Sequence, residues 1–146
     1  MKIQALLLLM FAVVLTMIAR KKGESVALSE KIKKVWTVQT ATENGTVVFT
    51  KGAGRNSQNY AKYKLDLSKP PAVTLTEVDG NTFVGQYELQ KDNRLILTNL
   101  NPQPTGSDGR REYALSAVTD NSMESSQSLA NLKTGDTPNS YKLSNP

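Results

Sequence analysis

The chain has 146 residues, enough for one domain of ordinary size. It contains neither cysteine nor histidine, which excludes a disulfide framework, a thiolate nucleophile, and the commonest catalytic base and metal ligand. The net charge of +5 comes almost entirely from four basic residues in the first 23. Without them 14 basic residues face 13 acidic ones, so the charge gives no support to a nucleic-acid-binding domain.

An apolar run opens the chain. Residues 3–19 carry no charge and follow Lys2, a layout typical of an export signal, and the run is also about the shortest that spans a bilayer. We expect residues 1–23 to be a signal peptide or membrane anchor and residues 24–146 to form the folded domain. The protein is then exported, and is periplasmic, membrane-anchored or extracellular in a bacterium.

The end of this run leaves cleavage and anchoring both open. Small residues are expected at the first and third positions before a cut, and here those positions hold Ala19 and Met17. The basic stretch Arg20–Lys22 opposes translocation of the downstream domain, since clustered basic residues beside an apolar span prefer the cytoplasmic side.

The folded domain shows the pattern of an all-β protein. A short helix is predicted over residues 24–34, and beyond Val35 no helical periodicity is sustained. Short alternating segments follow, separated by turn residues such as Asn44-Gly45, which favours a tight hairpin. The segments are residues 35–42, 46–50, 60–67, 72–78, 82–90, 94–99, 111–118, 122–128 and 139–145.

These segments predict one antiparallel architecture. The short links favour pairing between neighbours in sequence and leave no room for the crossover helices of a parallel sheet. An up-and-down β-barrel of about eight strands removes the exposed edges that so many half-apolar strands would otherwise present. Within it, Gly85 is expected to mark a bend that lets the barrel close.

Three features resemble a known family. Trp36 starts the first strand after a short helix, "GQYELQKDNRLILTN" occupies residues 85–99, and "YKL" closes the chain at residues 141–143. Together they resemble the lipocalin-like domains of secreted bacterial lipoproteins, over about residues 28–143. The resemblance implies a small up-and-down barrel with a cavity for an apolar ligand. The family's lipid-attachment cysteine is absent from "ARKKG" at residues 19–23.

Two sets of side chains are candidates for binding. One set consists of inward aromatic residues that either line a ligand cavity or fill the core of a narrow barrel: Trp36, Phe49, Tyr63, Phe83, Tyr87 and Tyr113. The other is a basic cluster that we interpret as a solvated outer face, with single-stranded nucleic acid or lipid headgroups as alternatives: Lys51, Arg55, Lys62, Lys64 and Lys69.

Catalysis and metal binding have little support. The serines of residues 122–128 lack a base, and Glu77, Glu88 and Glu112 are predicted at outward or turn positions. The acidic turn residues lack the ligand spacing of a calcium loop. We expect a non-enzymatic binding module of the cell envelope with no cofactor and no metal. Its partner is a small apolar ligand in the barrel or another envelope component. The alternative is a structural or protein-interaction module with a filled barrel.

Overall fold

A computed structural model describes residues 26–146. The expected signal or anchor in residues 1–23 therefore lies outside the described residues. One short helix, α1 (Leu28–Lys31), precedes nine strands. The strands are β1 (Val35–Glu43), β2 (Thr46–Thr50), β3 (Lys64–Asp66), β4 (Ala72–Thr76), β5 (Thr82–Leu89), β6 (Arg94–Asn101), β7 (Arg111–Ser116), β8 (Ser122–Gln127) and β9 (Asn139–Ser144). No helix in this part of the chain is long and apolar enough to cross a membrane.

The strands form a closed antiparallel barrel. From β3 to β9 each strand pairs with the next, and β9 pairs with β1 to close the ring. On its other side, β1 pairs with two strands. It pairs with β3 along residues 35–37 and with β2 along residues 40–43. The ring thus has eight strand positions, with β2 and β3 sharing one flank of β1. The prediction of a small all-β antiparallel barrel preceded by a short helix is confirmed.

Alternation along the strands selects the barrel interior. In β7, Arg111, Tyr113 and Leu115 are buried, whereas Ala114 and Ser116 are exposed. Strand β8 follows the same rule and buries residues 123, 125 and 127. Since successive side chains of a strand point to opposite faces, each strand contributes every second residue to the interior.

The two ends of the barrel differ. We call the end at which β1 begins the α1 end, because Ile32, just after the helix, is fully buried there and accepts a hydrogen bond from Nε1 of Trp36 at 2.9 Å. The opposite end, where β4, β6 and β8 finish, is the loop end. The β4–β5, β6–β7 and β8–β9 connections meet there.

Polarity inside the barrel follows the same division. The half at the α1 end is packed with apolar side chains that are at most 5% exposed, among them Trp36, Leu65, Leu95, Leu115, Met123 and Leu143. Six polar or charged residues of the described chain are buried. Five of them lie at the strand ends or in the connections of the loop half: Glu77, Arg111, Gln127, Asn131 and Asn139. The sixth, Ser125, lies in the middle of β8. The interior is therefore amphipathic along the barrel axis.

Candidate binding site at the loop end of the barrel

A buried ion pair lies at the centre of the loop end. Glu77 directly follows β4 and Arg111 begins β7, and they are 2% and 6% exposed. Oε1 of Glu77 accepts a hydrogen bond from Nε of Arg111 at 3.0 Å and lies 3.0 Å from Nη2, an ion-pair distance. The guanidinium also donates from Nη2 to the carbonyl of Thr105 at 3.4 Å. Arg111 is thus held between the barrel wall and the β6–β7 loop.

A third charge reaches this pair from the β8–β9 loop. Lys133 lies in a 3-10 helical turn, Leu132–Thr134. Its ammonium nitrogen is 2.8 Å from Oε2 of Glu77 and 2.7 Å from Oδ2 of Asp79. It also lies 4.8 Å from the ring centroid of Phe83, a cation–π distance. The ammonium is enclosed by two carboxylates and one aromatic face.

The protonation of this group favours the ion pairs. Partial burial lowers the pKa of Lys133, but the hydrogen bond to Asp79 and the close carboxylate of Glu77 outweigh it, so the pKa is raised. Burial raises the pKa of Asp79, but the hydrogen bonds from Lys133 and Asn81 outweigh it and bring this pKa below the ordinary value. Both partners are therefore charged at neutral pH.

One oxygen of the cluster is incompletely satisfied. Oε2 of Glu77 is fully buried and has no hydrogen bond of good geometry among the described residues. The ammonium of Lys133 lies at ion-pair distance from this oxygen but makes no hydrogen bond of good geometry with it. A buried carboxylate oxygen in this condition is costly and uncommon, so its presence requires an explanation.

Tyrosine side chains lie beneath the ions. The rings of Tyr63 and Tyr141 stack with centroids 4.6 Å apart, and the hydroxyl of Tyr63 donates to that of Tyr113 at 3.4 Å. The Tyr60 hydroxyl donates to Oε1 of Glu43 at 2.6 Å. Burial raises the pKa of Tyr113 to about 12, with a smaller contribution from the charge of Glu77. The layer joins apolar ring faces to hydroxyl groups.

The β8–β9 loop covers this end as a compact unit. Its backbone folds back on itself through Asn131, which donates to the carbonyl of Thr137 at 3.0 Å and accepts from Asp136 at 2.9 Å. Leu132 packs against Gly106 so closely that a side chain at Gly106 would collide with it. The loop is therefore a preformed flap that contacts the barrel rim through Leu132 and Lys133, through the Asn131 side chain, and through the Pro138 carbonyl, which accepts from the Asn44 amide.

Five of the six predicted aromatic residues are buried, and the six do not converge on one place. Trp36 lies at the α1 end, and Tyr87, half-buried, donates its hydroxyl to the carbonyl of Leu67 at 3.0 Å. Phe83, Tyr63 and Tyr113 belong to the loop half. Phe49, 6% exposed, packs near Tyr60 with centroids 6.2 Å apart. Whether the six line a ligand cavity stays a prediction.

The predicted basic residues are exposed along the barrel wall. Lys51, Arg55, Lys62, Lys64 and Lys69 are all exposed. Lys62 lies against Gly80 at the loop end, whereas Lys69 follows β3 toward the α1 end. Their role in binding stays a prediction.

Two positions differ from the sequence expectations. Alternation with Tyr63 predicts an outward Tyr60, but both are buried, because they flank a turn in which the Tyr63 amide donates to the Tyr60 carbonyl at 3.0 Å. Glu77, predicted at an outward or turn position, is buried. The sequence does carry a signal for this buried position, since alternation puts Glu77 on the same face as Val73 and Leu75. Alternation likewise puts Arg111 on the same face as Tyr113. No sequence signal points to Lys133.

Comparisons with known proteins add one structural likeness. No protein-family model matches the sequence, and no curated protein matches it. Among solved structures, the chain is similar to a lipocalin-like protein from Bacteroides uniformis ATCC 8492, with a TM-score of 0.47 and 10% sequence identity. The alignment covers 80% of this chain and 99% of that one.

Proposed function

We propose that this protein is a non-enzymatic binding module of the cell envelope that takes a small, largely apolar molecule with a polar head into the loop half of its barrel. One observation carries the proposal: five of the six buried polar and charged residues among those described lie at the strand ends and connections of that half.

The cost of these charges supports a binding role. Replacing a buried ion pair by apolar side chains of similar volume is often neutral or stabilising, so a barrel that serves only as a scaffold gains little from Glu77 and Arg111. A few convergent polar groups set among aromatic side chains are typical of small-molecule sites. The loop half has this composition, with Phe83, Tyr63 and Tyr113 beside the ions.

Entry requires the β8–β9 loop to move. The inward side chains are closely packed in this conformation, so a ligand must lift the loop and displace side chains beneath it. The loop is suited to this because its internal hydrogen bonds preserve its own shape. Asp79, whose side chain is 38% exposed, marks the point at which solvent reaches the ions.

Export and tethering complete the proposal. The apolar residues 3–19 would direct the domain to the envelope and, if uncut, hold it there. Because the described chain enters the barrel at the α1 end, a tether of this kind leaves the loop end facing away from the membrane. The ligand site would then open toward the envelope compartment.

The first test is calorimetric titration with hexanol, hexanoate and hexylamine, which share one apolar chain and differ in the head group. We expect at least one to bind the wild type. Ser125→Leu adds a large side chain to the barrel interior beside Tyr141, directly beneath the proposed site, and should abolish that binding. Ser126→Leu is the matched control, because the neighbouring side chain is exposed on the outer wall and binding should survive. Binding that persists in a folded Ser125→Leu variant, or no binding by any probe, would contradict the proposal.

A filled-barrel interaction module is the second candidate. It is favoured by the α1 half, where Trp36 and Leu95 are fully buried and Met123 is 1% exposed. That function predicts slow amide exchange throughout the barrel and no response to the probe panel. The two candidates therefore give opposite results in one titration.

A further inference from the structure

We propose that the position filled by the Lys133 ammonium is a binding site for the ammonium group of an amphipathic amine, which displaces Lys133 and opens the β8–β9 loop. The inference rests on the proposed function and names the head group of the ligand. Lys133 then acts as a built-in occupant that competes with the ligand.

The surroundings of the ammonium are those of a cation site. Two carboxylates, Glu77 and Asp79, approach it at 2.8 and 2.7 Å, and the Phe83 ring lies 4.8 Å away. The two carboxylates attract an ammonium group through ionic interactions and hydrogen bonds, and the aromatic face adds a cation–π interaction. The position is part of the barrel rim, since Glu77 and Asp79 follow β4 and Phe83 belongs to β5.

The buried oxygen of Glu77 indicates that Lys133 is an imperfect occupant. Oε2 of Glu77 has a charge partner but no hydrogen-bond donor at a good angle in the described chain. Lys133 reaches the oxygen from a loop whose backbone is fixed by its own hydrogen bonds, so its approach is constrained. A free ammonium group can turn to direct an N–H at this oxygen, which gives the ligand an advantage that Lys133 lacks.

The charges of the open site select a cation over an anion. Arg111 is already committed, with two nitrogens on Glu77 and one also on the Thr105 carbonyl. When Lys133 leaves with the loop, Glu77 and Asp79 face Arg111 alone, so the site carries a net charge of −1 from these three residues. An anionic head group would meet two carboxylates there. An ammonium group restores the neutrality that Lys133 provided.

Removing Lys133 should therefore strengthen amine binding. Lys133→Gln keeps a side chain of similar length without the charge. If the Lys133 side chain keeps the site closed about nine-tenths of the time, removing its charge raises the apparent affinity for the amine about tenfold. The experiment is calorimetric titration of wild type and Lys133→Gln with hexylamine, with hexanoate as the head-group control. Lys142→Gln is the matched variant, because Lys142 is 68% exposed on the outer wall and should leave the affinity unchanged.

A second substitution separates the site from the fold. In the Lys133→Gln background, Asp79→Asn should lower hexylamine affinity several-fold; Asp79 is partly exposed, so the protein still folds. A gain for hexanoate instead of hexylamine, or equal hexylamine affinity in wild type and Lys133→Gln, would overturn the inference. Where hexanol or hexanoate binds and hexylamine does not, the proposed function stands and this inference fails. Where none of the three binds, both fail.

Discussion

Glu77 is the residue on which the loop end of the barrel depends. One carboxylate oxygen holds Arg111 and the other faces Lys133, so three charges from three separate segments meet at a single buried group. Breaking a buried pair by removing one partner costs far more than replacing both, since the remaining charge stays in a poorly solvated site.

Glu77→Met should therefore destabilise the protein strongly. Arg111 is left buried without its counter-ion, and we expect a loss of about 3 to 5 kcal/mol in the free energy of unfolding. The double variant Glu77→Met/Arg111→Met should recover most of that loss, because apolar side chains then fill the space. Urea denaturation measures both.

The control for this pair is Glu124→Met. Glu124 is 48% exposed and lies 3.5 Å from Lys142 on the outer wall, so its loss should cost less than about 1 kcal/mol. A double variant as unstable as Glu77→Met alone would show that the ions are needed for folding, and would remove the reason for assigning them to binding.

Tyrosine ionisation provides a second test at this scale. The chain has five tyrosines, and each has a raised pKa, with desolvation by burial as the largest cause. A raised pKa means that the fold favours the neutral phenol. The resulting stability is complete below the unfolded pKa of about 10 and is lost as the pH rises above it. For Tyr113 this loss extends to about pH 12.

An alkaline titration followed by tyrosinate absorbance checks this. In the native protein little tyrosinate should form at pH 10, and its appearance at higher pH should coincide with unfolding. The urea-unfolded chain should titrate at about pH 10. Native tyrosines that ionise at the pH of the unfolded chain would contradict the burial of these side chains.

Among the elements, the pairing of β5 with β6 depends on Gly85. The register shifts between Val84 and Gln86, and the β6 backbone at Thr98 and Asn99 comes close to Gly85. A side chain there would collide with the Thr98 carbonyl and with Leu100. This supports the expectation that Gly85 marks a bend. The close approach of β6 at Gly85 is part of how the barrel wall curves at this point.

Gly85→Ala should accordingly lower stability by about 1 to 3 kcal/mol, the usual range for forced overpacking. Gly54→Ala is the matched control, because an added carbon there meets nothing within 4 Å. Thermal unfolding compares the two variants. Equal midpoints would mean that β5 and β6 can separate at this position without cost.

Much of the element order follows from the sequence, and part of the site does too. Alternation predicts the strands and the barrel. The prediction of Glu77 at an outward or turn position is wrong, although alternation extended by one residue pair from Leu75 would place it inward, as it would Arg111 from Tyr113. Alternation fails at Tyr60, because the chain turns there and β3 begins only at Lys64. It gives nothing for Lys133, since a loop residue is placed by tertiary packing and not by any local period.

Across the whole molecule, the barrel interior changes from apolar to polar along its axis. The α1 end is closed by a helix and a buried tryptophan, and the loop end is closed by a flap that carries a cation. The asymmetry gives each end one role: the first stabilises the fold, and the second is proposed to bind. Leu129 and Leu132 of the flap are exposed to solvent, so they do not alter the division of the barrel interior into an apolar and a polar half.

The most direct test of the binding claim is a crystal structure of the protein grown with a saturating amphipathic probe, hexylamine first. We expect electron density for the probe inside the loop half, beside Glu77 and Phe83, with the β8–β9 loop displaced and the α1 half unchanged. Density for the probe confined to the outer wall, with Lys133 still paired to Glu77 and Asp79, would contradict the claim.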